Sequence, residues 1–550
     1  MNTPSQIVFC LISLLFSYPL TTAAQTITIP APSSTQKPSA SQAPAAPAVP
    51  PDQKAYDEAR RIKDPEKRLD ALEKVIKDFP DKFAGFQARS DVLDTLIKYF
   101  PSQTDKIRAA AERYIAPMQG IVVSSTGSAY VTVAAKLMEA GILLDWAEEL
   151  ALKGVAQYED ETARAMRRQR ARYQDALGRI YLKQGKTKLA KKYLKDALKN
   201  EPDLATALIG LGQMAAQRRD HKAAVEYLAS AAVKGPLKKD DRQLMEAAYR
   251  ATNNGALVGL EELLDDKYRK LNAGIHFARY QATPKRTDRI ALAELFTGSG
   301  CGPCVAADLG FDALLERYDR KDLVVLVYHL HVPLPDPMTN PATVERGKYY
   351  GVPGTPTPIV DGTKLSSAGG PREMTKGFFE RVNPKIEAAL ESPALAQLTL
   401  TGSLEGDRVK AIVTVDEIKA PSPDLKIQLV LAEEEIRYTG ENGVRFHPMV
   451  VRSLGGKDSS GFAVASAPAK VEWTFDLKTM RDELKKYLDT YEQQGHRGDS
   501  FTFSEKTFQI APQHLSLVAF VQDMKTKNVL QAVHLKLDPT ATASAQTNAK

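Results

Sequence analysis

Arg289 to Cys304 reads RIALAELFTGSGCGPC, and the fold of the middle of the chain turns on it. Ile290 to Phe296 is apolar except for Glu294, as befits a buried strand. Gly298-Ser299-Gly300 is a turn. After Cys304, the residues Val305, Leu309, Leu314, Leu315 and Tyr318 recur mostly at three- to five-residue steps, which predicts a helix. The cysteine pair therefore sits where a strand hands over to a helix. Unpaired N–H groups and the helix dipole at such a place favour an anion. A thiolate is an anion, and thiol pKa values at these sites fall to roughly 3.5–7.5. Cys304 follows Cys301 by about one helical turn, so the two sulfurs can meet. Cys301 is then the attacking thiolate, and Cys304 resolves the mixed disulfide. Pro303 suits a first helical turn, where its missing N–H costs nothing. Gly302 and Pro303, between the cysteines, are candidate substrate contacts.

Some fifty residues on, Tyr350 to Gly362 reads YGVPGTPTPIVDG. Gly351 to Thr357 resembles the thioredoxin segment whose cis-proline lies beside the cysteines. With the CGPC pair, the strand before it and the helix after it, about 120 residues resemble a thioredoxin domain. Secreted bacterial thioredoxin-like proteins are similar in finer detail. The matching residues are Glu294-Leu-Phe-Thr297, Tyr328-His329, Asp336-Pro337, Pro341, Arg346 and Tyr349. The resemblance implies a thiol–disulfide oxidoreductase acting through Cys301, Cys304 and Pro356. It also implies that Thr355 offers its backbone to an extended substrate, and that Glu294 exchanges a proton with Cys304. Thr355 is similar to the residue at this position in periplasmic disulfide isomerases. CGPC is similar to the reducing members, whose potentials lie near about −270 mV. Gly300 departs from the family, which usually has Trp before the first cysteine.

The 550 residues suggest three or four domains. Hydrophobic residues make up 43% and charged residues 26%, ordinary values for a globular chain. Residues 1–24 read as a secretory signal, with an apolar stretch from Ile7 to Ser17 and small residues at Thr22-Ala23-Ala24. The n-region has no Lys or Arg, and the stretch is too short to span a bilayer comfortably. Export to the periplasm or beyond follows, with no membrane span after signal removal. The chain has only three cysteines, Cys10, Cys301 and Cys304, so signal removal leaves one pair. A disulfide between Cys301 and Cys304 closes too short a loop to stabilise much. A zinc site would need two more ligands, and there is no second cysteine pair. Residues 25–51 are rich in Pro, Ala, Ser and Thr and read as a linker.

Residues 52–272 read as helix after helix. Leu177-Gly178, Ala190, Tyr193, Ala197 and Pro202 recur 34 residues later as Leu211-Gly212, Ala224, Tyr227, Ala231 and Pro236. Period and residue types match tetratricopeptide repeats, whose stacks often hold a protein or peptide in a concave groove. Asp64 to Pro80 looks like a degenerate earlier copy, and Gln119 to Gln157 is blurred. Arg164 to Arg172 and Lys186 to Lys199 are basic, as the solvated faces of helices usually are. A net charge of +7 spread along an exported chain does not point to nucleic acid.

Residues 273–393 order as strand, helix, strand, helix, hairpin, helix. Asp322–Leu330 is the second strand, Asn340 and Pro341 start the second helix, Asp361-Gly362 makes the hairpin and Met374–Leu390 closes the set. Residues 394–539 alternate as six or seven strands with one helix, Thr479–Gln493, and suggest a β-sandwich. Residues 540–550 read as a disordered tail. Arg497-Gly498-Asp499 is a chance tripeptide in a polar loop. The fold expected is thus a helical repeat solenoid, an α/β thioredoxin-like domain and an all-β domain.

No cofactor is expected. The expected partners are protein thiols and disulfides, a ligand of the repeat groove and an electron donor or acceptor. Two other functions compete. One is a scaffold whose cysteines form a fixed clip. The other handles copper or zinc through Cys301, Cys304 and His329 or His331, two histidines that share one side of a strand end. His447, in Arg445-Phe-His-Pro448, is expected in a loop.

Overall fold

The computed structural model describes residues 50–118, 123–156, 164–366, 369–457, 460–496, 501–538 and 544–547. The signal and nearly all of the linker lie outside the described residues, as does Arg497-Gly498-Asp499. The chain divides into two compact units, 1–207 and 208–550.

The first unit is helical: α1 Pro51–Arg60, α2 Pro65–Asp78, α3 Phe83–Tyr99, α4 Thr104–Ile115, α5 Val123–Ala140, α6 Leu144–Ala156, α7 Arg164–Lys183 and α8 Thr187–Asn200. Asp64 caps α2 by accepting from the N–H of Lys67. The blurred stretch after residue 119 holds two ordinary helices, α5 and α6. In α8 the buried residues are Ala190, Leu194 and Ala197, at three- and four-residue steps on one face. A Cβ at Gly178 of α7 would lie 2.8 Å from Leu194 Cγ, so the glycine sets how closely α7 and α8 approach.

The second unit begins with most of α9, Ala205–Gln217, followed by α10 His221–Ala232, α11 Lys239–Thr252 and α12 Leu260–Asn272. The close approach recurs here: a Cβ at Gly212 would lie 2.6 Å from Leu228 Cγ. Both partners are displaced by 34 residues from Gly178 and Leu194, so the repeat in sequence is a repeat of one contact.

Then come β1 Ala291–Thr297, α13 Val305–Arg317, β2 Leu323–His329, α14 Pro341–Tyr350, β3 Thr357–Val360, β4 Thr363–Lys364 and α15 Thr375–Leu390. A short 3-10 turn, Gly302–Cys304, leads into α13. The remainder is β5 Ala396–Glu405, β6 Arg408–Ile418, β7 Leu425–Arg437, β8 Phe446–Leu454, β9 Phe462–Ala463, β10 Ala469–Asp476, α16 Leu477–Gln494, β11 Leu515–Asp523, β12 Val529–Lys536 and β13 Ser544–Thr547.

The expected boundary at 393/394 falls inside one sheet. Its order is β12-β11-β7-β8-β2-β1-β3-β4, with β9 also on β7. β1 and β2 run parallel, and β8 joins the far side of β2 at Val327 and Val450. Sheet alternation divides the strand residues between two cores. In β11, Val518 and Phe520 pack with the residues of β1, β2 and α13, while Leu517, Ala519 and Val521 face a second core. In β7, Val430 and Ala432 take the first core, and Leu429 and Leu431 the second. A four-stranded sheet, β10-β6-β5-β13, closes that second core. The expected all-β sandwich is therefore built in part from strands of the central sheet. Two further corrections follow. Phe446–Leu454, which contains His447, is a strand rather than a loop. Within the expected tail, Ser544–Thr547 pairs antiparallel with β5.

Candidate active site

The Gly298–Cys304 turn is bonded on several sides. The Cys301 N–H donates to Gly298 O and the Cys304 N–H to Cys301 O. A Cβ at Gly298 would lie 2.5 Å from Val332 O, so only a bare backbone fits. The Ser299 N–H donates to Asp336 Oδ2 at 2.5 Å. Pro303 O accepts from the Gly370 N–H at 2.6 Å, and Gly370 O accepts from Ala306 N–H at 3.0 Å. Cys301 and Cys304 are joined by a disulfide. Gly302 and Pro303 are exposed, whereas the cysteines themselves are 1% and 0% exposed.

The proline segment lies beside the pair. Thr355–Pro356 is a cis peptide bond, and the Thr355 carbonyl oxygen is 3.7 Å from Cys301 Sγ. Thr355 Oγ1 donates to Val332 O. A Cβ at Gly300 would meet Leu334 Cβ at 2.7 Å; Leu334 is 43% exposed and occupies the space that a larger residue before Cys301 would claim.

The β7–β8 loop covers the turn from another side. Asn442 Nδ2 donates to the carbonyls of Gly298 (3.4 Å) and Cys301 (3.3 Å), and its N–H donates to Ser299 O. Arg445 anchors that loop on α12. It is 4% exposed and donates to Asp265 Oδ1 at 2.7 Å and Glu261 Oε2 at 2.6 Å.

Glu294 is not beside the cysteines. Strand residues alternate faces, and Thr297, three residues on, donates its hydroxyl to Asp308 on α13 at 2.6 Å. Glu294 therefore faces the opposite side, where it accepts from Arg346 Nε at 2.9 Å and from Tyr350 OH at 2.6 Å on α14. It is a structural ion-pair partner, not a group under Cys304.

An acid that does lie on the cysteine side is Asp308, four residues after Cys304 along the helix. Burial raises its carboxyl to about 7, against the hydrogen bond from the Thr297 hydroxyl, which lowers it. This raised value has a signed consequence. Below about pH 4 both folded and unfolded states hold the proton. From about pH 4 to 7 only the folded state keeps it, so stability falls as pH rises; above about 7 the penalty is constant. Asn at 308 can still accept from Thr297 and carries no charge. Asp308→Asn should therefore gain on the wild type through this window, by a few kcal/mol above pH 7 at about 1.4 kcal/mol per pH unit. Urea midpoints from pH 4 to 8 check it; parallel wild-type and variant curves would sink it.

The histidines are spoken for in unequal ways. His329 Nδ1 lies 2.9 Å from Asp336 Oδ2, fully buried. Asp336 is held below the ordinary carboxylate range: burial works to raise it, but His329 and the N–H donors of Ser299 and Met338 outweigh that. His331 Nδ1 accepts from the Asp336 N–H, and its ring stacks on Tyr491 at 3.7 Å. Burial lowers His331 to about 4. His447 packs edge-on against His329, ring centroids 5.1 Å apart, and burial lowers it to about 3. Among the described residues no group of three or more His, Cys, Asp or Glu is arranged to hold a metal.

Residues 176–239 match the tetratricopeptide repeat family. No curated protein matches the chain. Among solved structures, HBP35 of Porphyromonas gingivalis is similar over 46% of this chain and 78% of its own, at 17% identity and TM-score 0.32. BtubC from P. vanneervenii is similar over 43% and 96%, at 16% identity and TM-score 0.29. YrrB, described as a TPR protein with an unusual peptide-binding site, is similar over 37% and 93%, at 16% identity and TM-score 0.20. The chain thus carries tetratricopeptide repeats followed by a mixed-sheet region. No helix among the described residues is long and apolar enough to cross a membrane.

Proposed function

We propose that the chain is an exported thiol–disulfide oxidoreductase of the thioredoxin-like class, with its repeats recruiting a protein partner. The observation that carries this is the Thr355 carbonyl 3.7 Å from Cys301 Sγ, beside a disulfide at the start of α13. A thiolate at Cys301 gains from the N–H groups and dipole of that helix end. Thr355 supplies backbone polar groups next to it, suited to an extended substrate segment. Cys301, Cys304, Pro356 and Thr355 are the site, with Gly302 and Pro303 its exposed edge. Glu294 has no part in it. The electron donor or acceptor is a separate partner, and the export signal rests on residues 1–24.

A second reading draws on the burial of both sulfurs: a repeat scaffold whose disulfide is a fixed clip. The two differ in measurable ways. Cys304→Ala, reduced and mixed with exported proteins carrying disulfides, should accumulate mixed disulfides through Cys301. A variant that traps nothing, with a wild-type reduction potential well below about −300 mV, would select the clip instead.

A further inference from the structure

His329 holds an unused nitrogen. It ends β2 with its side chain fully buried, and its Nδ1 faces Asp336 Oδ2 at 2.9 Å. Asp336 is an acceptor three times over, from His329, from the Ser299 N–H and from the Met338 N–H. An acceptor at Nδ1 fixes a proton there, so in the neutral ring it is Nε2 that carries the free lone pair. Nε2 is buried and has no hydrogen-bond partner among the described residues. A buried acceptor without a donor costs free energy, so its retention asks for a reason.

The direction of the ring supplies one. β1 and β2 run parallel with Thr297 paired to His329 in register. Residues paired in register on parallel strands project from the same face of the sheet. Thr297 reaches Asp308 of α13 from that face, so His329 projects into the layer that holds α13 and, at its N-terminus, Cys304. The charged and titratable groups around His329 are Asp336 from the loop after β2, Asp308 from α13 and His447 from β8. Cys304 is itself fully buried, so its proton cannot leave straight to water.

We propose that His329, oriented by Asp336, is the internal proton acceptor for Cys304 during disulfide exchange. The proposal rests on the redox function above. Cys301 thiolate attacks a substrate disulfide, forms the mixed disulfide and releases the first substrate thiolate. Cys304 passes its proton to His329 Nε2, and the Cys304 thiolate attacks Cys301 Sγ. The bond from Cys301 to the substrate breaks, the second substrate thiolate leaves and the Cys301–Cys304 disulfide forms. Two electrons pass from the cysteine pair to the substrate, and the imidazolium returns its proton to the departing thiolate or to water. Asp336 is a positioning residue that holds the ring and its tautomer.

The test uses the full reduced chain and 5,5′-dithiobis(2-nitrobenzoate), which releases one coloured thiolate when Cys301 attacks and a second when Cys304 resolves. In His329→Gln the second phase should slow at least tenfold at pH 7 and lose its pH dependence, with the first phase within twofold of wild type. A second phase within twofold of wild type overturns the proposal while leaving the exchange function standing. Absence of a first phase in the wild type removes both. If His329→Gln does not fold, nitrogen NMR of the wild type decides. The Nδ1–H tautomer, with an Nε2 resonance that moves on reduction of the disulfide, supports the proposal, and the Nε2–H tautomer overturns it.

Discussion

Replacing Arg346 with leucine is expected to destabilise the second unit by about 3–5 kcal/mol, the usual result of stranding one half of a buried ion pair. Arg346 is 4% exposed and Glu294 is fully buried. The guanidinium donates to Glu294 Oε1 at 2.9 Å, Gln522 Oε1 at 2.9 Å and Tyr350 OH at 3.0 Å. Tyr350 in turn donates to Glu294 Oε2 and accepts from Gln522 Nε2. Four side chains from β1, α14 and β11 thus satisfy one another. Without Arg346 the carboxylate keeps only the tyrosine, at a position with no exposure to solvent. Adding Glu294→Leu to Arg346→Leu should recover most of the stability, because apolar pairs often match buried ionic ones. Urea unfolding of the single and double variants reads both numbers. A single variant as stable as the wild type would mean that Glu294 and Arg346 do not depend on each other.

Gly362→Val carries the second large effect, a loss of about 3 kcal/mol or more from two sources. Gly362 has φ +83°, which costs a β-branched residue on the order of 1–3 kcal/mol. A Cβ there would also lie 1.8 Å from the Lys527 carbonyl oxygen, and such overpacking adds about 1–3 kcal/mol. The control is Gly351→Ala: φ is +60° but nothing lies within 4 Å of the added carbon, so only the backbone term, about 1 kcal/mol, remains. Equal midpoints for the two variants would show that the contact with Lys527 does not exist. The turn matters because it is a seam. Beside Gly362, Asp361 accepts from Leu292 N–H and Arg289 Nη2, and Arg289 Nη1 donates to Leu530 O.

Local chemistry was legible in the sequence, and long-range pairing was not. The strand before Cys301, the helix after Cys304, the Asn340 cap and the Asp361-Gly362 turn each depend on a few adjacent residues. The repeat was legible because one contact, Gly to Leu, occurs twice at a fixed offset. Phe446–Leu454 carries a weak strand signal because it is largely buried on both faces, so it lacks polar–apolar alternation, and Pro448 interrupts it. The sheet partner of β2 lies far along the chain, and nothing in Leu323–His329 says which strand will pair with it. Glu294 faces away from the cysteines, which the sequence does not reveal because a strand turns over with each residue and a one-residue change of register reverses the face. Asp308 had a signal, a lone acid one turn after Cys304 among apolar neighbours. Asn442 had none, since its role is set by a loop that Arg445 fixes.

The shared sheet also imposes a schedule. β2 ends at His329 and its neighbour β8 ends at Leu454, 125 residues later. Ribosomes add roughly 5–20 residues per second, so one side of β2 waits about 6–25 s for its partner. During that interval the strand is an apolar edge of the kind that pairs with other chains. A nascent chain stalled between these two points is therefore where aggregation of this protein should concentrate.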